Sequence, residues 1–158
     1  PPYPGFAHTV LPLFSKDILI ITDECVRDDG VDWPKLAWVV DARQEDNLIP
    51  IGTFPMPPLD DFRGRGGRFG AHNTHENRPG PSFQSDDLIF GTFFNGGLRV
   101  FDVSNPYQPK EVAYFVPPKP DNSPVATAQI NDVYVDENRT VYCVDRHAGG
   151  LYCLELNI

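Results

Sequence analysis

Histidine is the residue type in this sequence best suited to chemistry, and the chain carries four: His8, His72, His75 and His147. Neutral imidazole nitrogens are good ligands for Zn²⁺, Cu²⁺ and Fe²⁺. We therefore predict a divalent metal ion held by these four side chains. Calcium is less favoured because it prefers oxygen ligands, although Asn131-Asp132 keeps it open.

Two further side chains are candidates for catalysis. Glu76 follows His75 directly, and such a pair can act as base and orienting partner, or support the metal ligands from behind. Arg68 belongs to an arginine- and glycine-rich segment, and a guanidinium can bind a substrate carboxylate through two hydrogen bonds. On a regular strand His75 would point away from His72, so both bind one ion only if a bulge or a strand end intervenes.

Composition excludes several classes of function. A formal net charge of −9 argues against binding to a nucleic-acid backbone. No apolar run reaches the length of a membrane span, so no membrane span is expected. The sequence also contains no nucleophile-elbow, Walker or dinucleotide-binding motif, which sets aside serine hydrolase and nucleotide-dependent chemistry.

The candidate residues must be positioned by short strands. Seventeen prolines and 13 glycines are scattered along the 158 residues, a pattern typical of strands and turns and not of long helices. An apolar strand that ends in an acid recurs three times, at 36–41, 98–102 and 151–155. The spacing from Asp41 to Phe54 equals that from Asp102 to Phe115, so the repeats share one register.

Each repeat indicates four antiparallel strands, which we label A to D and which together form one blade of a β-propeller. We place repeat 1 at about 6–58, repeat 2 at about 69–118, and repeat 3, without its last strand, at about 128–158. The fold class is therefore all-β, an incomplete propeller or part of a larger disc. The starts of strands A and the B–C turns share one face, so all four histidines are expected at one mouth of the channel.

The second repeat carries a resemblance to a known family. Gly97-Leu98-Arg99-Val100-Phe101-Asp102-Val103-Ser104-Asn105-Pro106 is similar to the blades of LVIVD-repeat proteins. Repeat 1 departs from this pattern at Asp41-Ala42-Arg43-Gln44. The resemblance implies a propeller of about seven blades and says little about activity.

Two function hypotheses follow. The first is a metal-dependent enzyme that acts on a small organic substrate by hydrolysis, for example of a lactone, or by oxidation. The second is a non-catalytic propeller that binds a protein or a glycan on one face. Because the chain begins with Pro1-Pro2 and holds fewer than three full blades, we expect the remaining blades to come from the rest of a parent chain or from a partner chain.

Two details bear on the compartment. Asn138-Arg139-Thr140 is a glycosylation sequon, relevant if the protein is eukaryotic and secreted. Cys143 and Cys153 would face each other if their hairpin loop were centred on Ala148, which would allow a disulfide as an alternative to two free thiols. The compartment stays open at this level, with an extracytoplasmic or secreted location favoured.

Overall fold

The computed structural model describes residues 5–158, which form ten β-strands and two short helical segments. No helix in this part of the chain has the length and apolar character needed to cross a membrane. The helical segments are a 3-10 turn at Asp28–Gly30 and α1 at Leu59–Phe62. The strands are β1 Ala7–Leu13, β2 Ile18–Asp23, β3 Ala37–Asp41, β4 Ile49–Thr53, β5 Leu88–Thr92, β6 Leu98–Asp102, β7 Lys110–Phe115, β8 Ile130–Val135, β9 Thr140–Asp145 and β10 Leu151–Glu155.

The strands form three antiparallel sheets, which confirms the all-β class. Sheet 1 has the order β1-β2-β3-β4, sheet 2 has β5-β6-β7, and sheet 3 has β10-β9-β8. Each sheet is a meander in which neighbours in sequence pair with each other. The strands fall where the apolar runs predicted them, since a short run of apolar residues can bury both faces of a strand.

The segment at 72–75 lies at the start of repeat 2, where strand A is predicted, but in the structure it is not a regular strand. It still bonds to β5: the amide of His72 donates to Thr92 O (2.9 Å) and that of His75 donates to Phe90 O (3.0 Å). However, the carbonyl of His72 accepts a hydrogen bond from the Thr22 hydroxyl of sheet 1. Because the segment divides its bonds between two sheets, its ladder with β5 is interrupted.

The shared register of repeats 1 and 2 is visible in their sheets. The pairing of β3 with β4 shifts between Val39 and Val40, and that of β6 with β7 shifts between Val100 and Phe101. These two bulges occupy equivalent positions, since Asp41 ends β3 and Asp102 ends β6. A bulge bends its strand and increases the local twist, so the two sheets have the same bend at the same place.

Sheet 2 contributes to two hydrophobic clusters. The first joins sheet 1 to sheet 2, and in it the rings of Phe54 and Phe101 lie 4.5 Å apart. The second joins sheet 2 to sheet 3 and includes Phe90, Val100 and Ile130. The strands β5 and β6 are buried almost throughout because apolar residues cover both of their faces.

The hairpin of β9 and β10 is offset from the predicted register. Tyr142 pairs with Cys153, and Cys143 pairs with Tyr152, so the loop is centred one half-residue before Ala148. Directly opposed residues on paired strands share a face, so Cys153 lies on the same face as Tyr142. Tyr142 and Cys143 are neighbours on β9 and point to opposite faces. The two cysteines therefore also lie on opposite faces. The condition under which Cys143 and Cys153 would face each other is therefore not met, and of the two alternatives the structure has two free thiols.

Equivalent glycines close the B–C turns of repeats 2 and 3, and they permit a matched test of the fold. Gly97 (φ +81°) and Gly150 (φ +71°) each precede a strand, but a Cβ on Gly97 would lie 2.2 Å from Phe115 O, whereas one on Gly150 meets nothing within 4 Å. Gly150→Ala should lower the free energy of unfolding by about 1–2 kcal/mol through its backbone conformation alone. Gly97→Ala should lower the free energy of unfolding clearly more, because the added Cβ would clash with Phe115 O. Urea unfolding measures both losses, and equal losses would contradict the close contact of Gly97 with Phe115.

Candidate functional site

Three side chains from distant parts of the sequence converge on one point: His8, Glu24 and His72. Their potential ligand atoms all lie within 4.8 Å of one another. A carboxylate oxygen of Glu24 is 3.6 Å from Nε2 of His72, and the other is 3.8 Å from Nε2 of His8. Two ligands of one tetrahedral Zn²⁺ are about 3.4 Å apart. The arrangement therefore approaches the geometry of a metal site with two histidines and one carboxylate.

The β1–β2 hairpin positions His8 and Glu24. His8 is the second residue of β1, and Glu24 follows the last residue of β2. Since Ala7 pairs with Asp23 in this antiparallel hairpin, the two side chains lie at the same end of it. The backbone amide of Glu24 also donates to Phe6 O (2.8 Å), which extends the pairing to the site.

His72 is oriented by a backbone carbonyl. Its Nδ1 lies 2.8 Å from Asn131 O, and because a carbonyl only accepts, Nδ1 carries the proton and donates it. Nε2 is then unprotonated and is the nitrogen near Glu24. Burial lowers the pKa of His72 below its usual value, with smaller contributions that include the neighbouring His8. His72 is therefore a neutral imidazole at pH 7, the form that binds a metal ion.

His8 is oriented in a similar way by a side chain. Its Nδ1 is 3.0 Å from the hydroxyl of Thr9, and this hydroxyl donates to Oδ1 of Asn73 (3.2 Å). Having given its proton to Asn73, the hydroxyl accepts from His8 Nδ1, so Nε2 is the ring nitrogen of His8 that faces Glu24. Hydrogen bonds at the second nitrogen are typical of histidines that ligate metals, because they fix the tautomer and the ring orientation.

Arg68 contacts the carboxylate of the cluster. Its Nη1 lies 2.8 Å from Oε1 of Glu24 and 3.3 Å from Cys25 O. The guanidinium carbon is also 5.6 Å from the centre of the Phe94 ring. The sequence predicted that Arg68 captures a substrate carboxylate, whereas in the structure it binds a carboxylate of its own chain. Since that carboxylate has two oxygens, Arg68 can hold one while the other faces a metal ion.

His75 lies apart from this cluster, and both of its ring nitrogens have partners. The amide of Val135 donates to Nδ1 (3.1 Å), and Nε2 donates to Phe83 O (2.9 Å). The side chain is 5% exposed and packs edge-on against Phe90 and Tyr134. Burial lowers the pKa of His75, so it too is neutral at pH 7. The structure gives His75 the role of a hydrogen-bonded core residue that ties sheet 3 to the 72–83 segment.

His147 and Glu76 are also outside the cluster. His147 is exposed in the β9–β10 turn, where its amide donates to Oδ1 of Asp145 (2.7 Å). Glu76 is exposed, lies 3.9 Å from Arg78, and lines a surface groove of about 240 Å³. None of the three clustered side chains lines that groove. The structure thus brings together two of the four predicted histidines.

Glu24 is the member of the cluster that sequence reasoning missed. A usable signal was present, because Glu24 directly follows strand B of repeat 1, and that end of strand B lies on the same face as the start of strand A. Asp32, an acid of the loop that follows, lies outside the cluster and accepts hydrogen bonds from the amide of Val26 and from the thiol of Cys25.

Comparison with known proteins adds no relative. No protein-family model, no curated protein and no solved structure matches this chain. What the site does must therefore be inferred from its residues and their geometry.

Proposed function

We propose that this chain is part of a β-propeller in which His8, Glu24 and His72 hold a divalent transition metal ion, and that this ion serves an enzyme acting on a small organic substrate. The observation that carries the proposal is the convergence of three ligand atoms, in which Nε2 of both imidazoles lies within 4 Å of the carboxylate of Glu24. The repeated strands and equivalent bulges support the blade architecture, with further blades supplied by more of the chain or by a partner.

The ligand set indicates which metals suit the site. Two neutral histidines and a glutamate are a ligand set found for zinc in hydrolytic enzymes. The same set, with open positions, is found for non-haem Fe²⁺ in oxygenases. Calcium fits poorly because two of the three ligand atoms are nitrogens. We therefore propose Zn²⁺ or Fe²⁺, with Cu²⁺ as a further candidate.

The residues of the chain have defined tasks in this scheme. A metal ion bound here would lower the pKa of a bound water or bind an oxygen of the substrate. Asn131 and Thr9 hold the imidazoles in the ligating tautomer, and Arg68 orients the carboxylate of Glu24. Arg68 is thus a positioning residue in this proposal.

Metal stoichiometry tests the proposal. The protein is incubated with excess Zn²⁺, separated from free metal by gel filtration, and assayed by elemental mass spectrometry. The wild type should retain about one ion per chain, while His8→Ala and His72→Ala should lose it, because two remaining ligands bind weakly. His147→Ala is the matched control and should retain the ion, since its imidazole lies outside the cluster.

Two outcomes would contradict the metal site. One is a wild type that retains no zinc, iron or copper. The other is equal retention by the wild type and the His72→Ala variant, with both proteins shown to be folded by circular dichroism.

A specific observation also favours the non-catalytic alternative. The ion pair of Glu24 with Arg68 balances the carboxylate without a metal, and the ring of His72 is hydrogen-bonded to Asn131 O of β8. In a scaffold that binds a protein or a glycan, the same contacts would hold the sheets in register. The two functions differ in the stoichiometry experiment, because the scaffold predicts no retained metal in any variant.

A further inference from the structure

The Phe94 ring is the centre of a group of positively charged and metal-binding side chains. It is fully buried, and its backbone exchanges two hydrogen bonds with Ile130. The ring of His72 lies 4.6 Å from it, the guanidinium carbon of Arg68 5.6 Å and that of Arg146 5.7 Å. Phe94 therefore places Arg146 beside the His8, Glu24 and His72 cluster.

Arg146 differs from Arg68 in its ion pairing. Arg68 is paired with Glu24, whereas Arg146 forms no ion pair with any residue of 5–158. The acid next to it in sequence, Asp145, is occupied, because its carboxylate accepts hydrogen bonds from the amides of Gln129, His147 and Gly149. Arg146 is exposed, so its guanidinium is accessible to a ligand.

The charge balance of the site favours an anion. Glu24 is the carboxylate of the cluster, and a bound metal dication with Arg68 would already exceed its charge. Arg146 adds a further positive charge near His72, since its guanidinium carbon and the His72 ring both lie within 6 Å of the centre of the Phe94 ring. The surplus is local, since the chain as a whole has a formal charge of −9. A site of this kind attracts a small anion from solution.

We propose that Arg146 binds the carboxylate of a small organic substrate and holds it beside the metal ion, the role that the sequence suggested for Arg68. This inference rests on the proposed function, because it names the substrate class of the same site. A guanidinium fork binds a carboxylate through two parallel hydrogen bonds, and stacking on Phe94 limits the positions that the fork can adopt.

The test uses cobalt-loaded protein, because Co²⁺ replaces Zn²⁺ and has a visible spectrum that changes when a ligand enters an open position. Acetate is titrated into the wild type and into Arg146→Gln, with neutral acetamide as the comparison ligand. Arg139→Gln is the matched control, since Arg139 also stacks on a phenylalanine, Phe83, from a hairpin turn but lies away from the cluster. A parallel titration of metal-free protein is followed by the NMR signals of the His72 ring.

We expect the acetate affinity to fall by about tenfold or more in Arg146→Gln, with unchanged cobalt stoichiometry, and to stay at the wild-type value in Arg139→Gln. Acetamide should bind all three proteins weakly. If cobalt binds but acetate affinity is the same in wild type and Arg146→Gln, the inference is overturned and the metal site stands. If no cobalt binds but acetate shifts the His72 signals only when Arg146 is present, the anion site stands and the metal function fails. If neither ligand binds, both proposals fail.

Discussion

Replacing His75 with alanine should lower the free energy of unfolding by about 2–5 kcal/mol at pH 7. The substitution removes a buried side chain and leaves the amide of Val135 and the carbonyl of Phe83 without their partners. Urea unfolding measures the loss. His147→Ala is the control and should change the stability by no more than about 0.5 kcal/mol, because His147 is exposed.

The pH dependence of stability distinguishes His75 further. Burial lowers its pKa in the folded protein, whereas the unfolded value is about 6.5. Between the two values the unfolded chain binds more protons than the native one, so stability rises with pH there and falls as the pH drops below about 6.5. Glu76 and Arg78 are the charged groups that act on this imidazole, in opposite directions.

The His75→Ala variant should therefore lose less stability than the wild type between pH 7 and pH 5. Burial also lowers the pKa of His72, but its contribution to the pH dependence of stability is the same in the wild type and in His75→Ala, so it cancels in the comparison. A variant as stable as the wild type at pH 7, or one with an unchanged pH dependence, would show that His75 is not the buried, doubly bonded residue described above. If the folded His75→Ala variant retains the metal ion, His75 stabilises the fold and is not a metal ligand.

Phe101→Ala should lower the free energy of unfolding by about 3–5 kcal/mol. Phe101 is fully buried in the cluster between sheets 1 and 2, where its ring lies 4.5 Å from that of Phe54 and 5.8 Å from that of Phe93. Removing it leaves a cavity that neighbouring rings fill only in part. Phe14→Ala is the control, because Phe14 is 76% exposed and its loss should be nearly neutral.

The same substitution should weaken the proposed metal site. His8 belongs to sheet 1 and His72 to the segment that bonds to sheet 2, so the packing between these sheets sets the distance between the two rings, now 4.4 Å. A loosened interface should reduce zinc affinity even in the folded protein. Wild-type zinc affinity in a folded Phe101→Ala variant would contradict this link, and a stability loss below about 1 kcal/mol would contradict the packing itself.

Much of the local structure could be predicted from the sequence. The apolar runs at 36–41, 98–102 and 151–155, which contain the strands β3, β6 and β10, are short and include β-branched and aromatic side chains, a pattern that identifies strands. The equal spacing of Asp41 to Phe54 and of Asp102 to Phe115 predicted one register, and the structure shows equivalent bulges there.

The predictions that failed or stayed incomplete depended on small offsets and on long-range contacts. An offset of one half-residue in a hairpin loop placed Cys143 and Cys153 on opposite faces, because side chains alternate along a strand. Glu24 was missed because nothing in the local sequence shows that the end of β2 lies next to residue 72. Arg68 was assigned to a substrate because its carboxylate partner comes from 44 positions earlier in the chain.

The sequence by itself determined the all-β class, the positions of the strands and the residue types available for chemistry, because each depends on neighbours within a few residues. Only the tertiary structure decided which of those side chains meet. His8, Glu24 and His72 converge because sheet 1 packs against the 72–75 segment, and Arg68 and Arg146 join them because both stack on Phe94. Such contacts depend on how sheets pack, which is the sum of many weak interactions and not the property of any one motif.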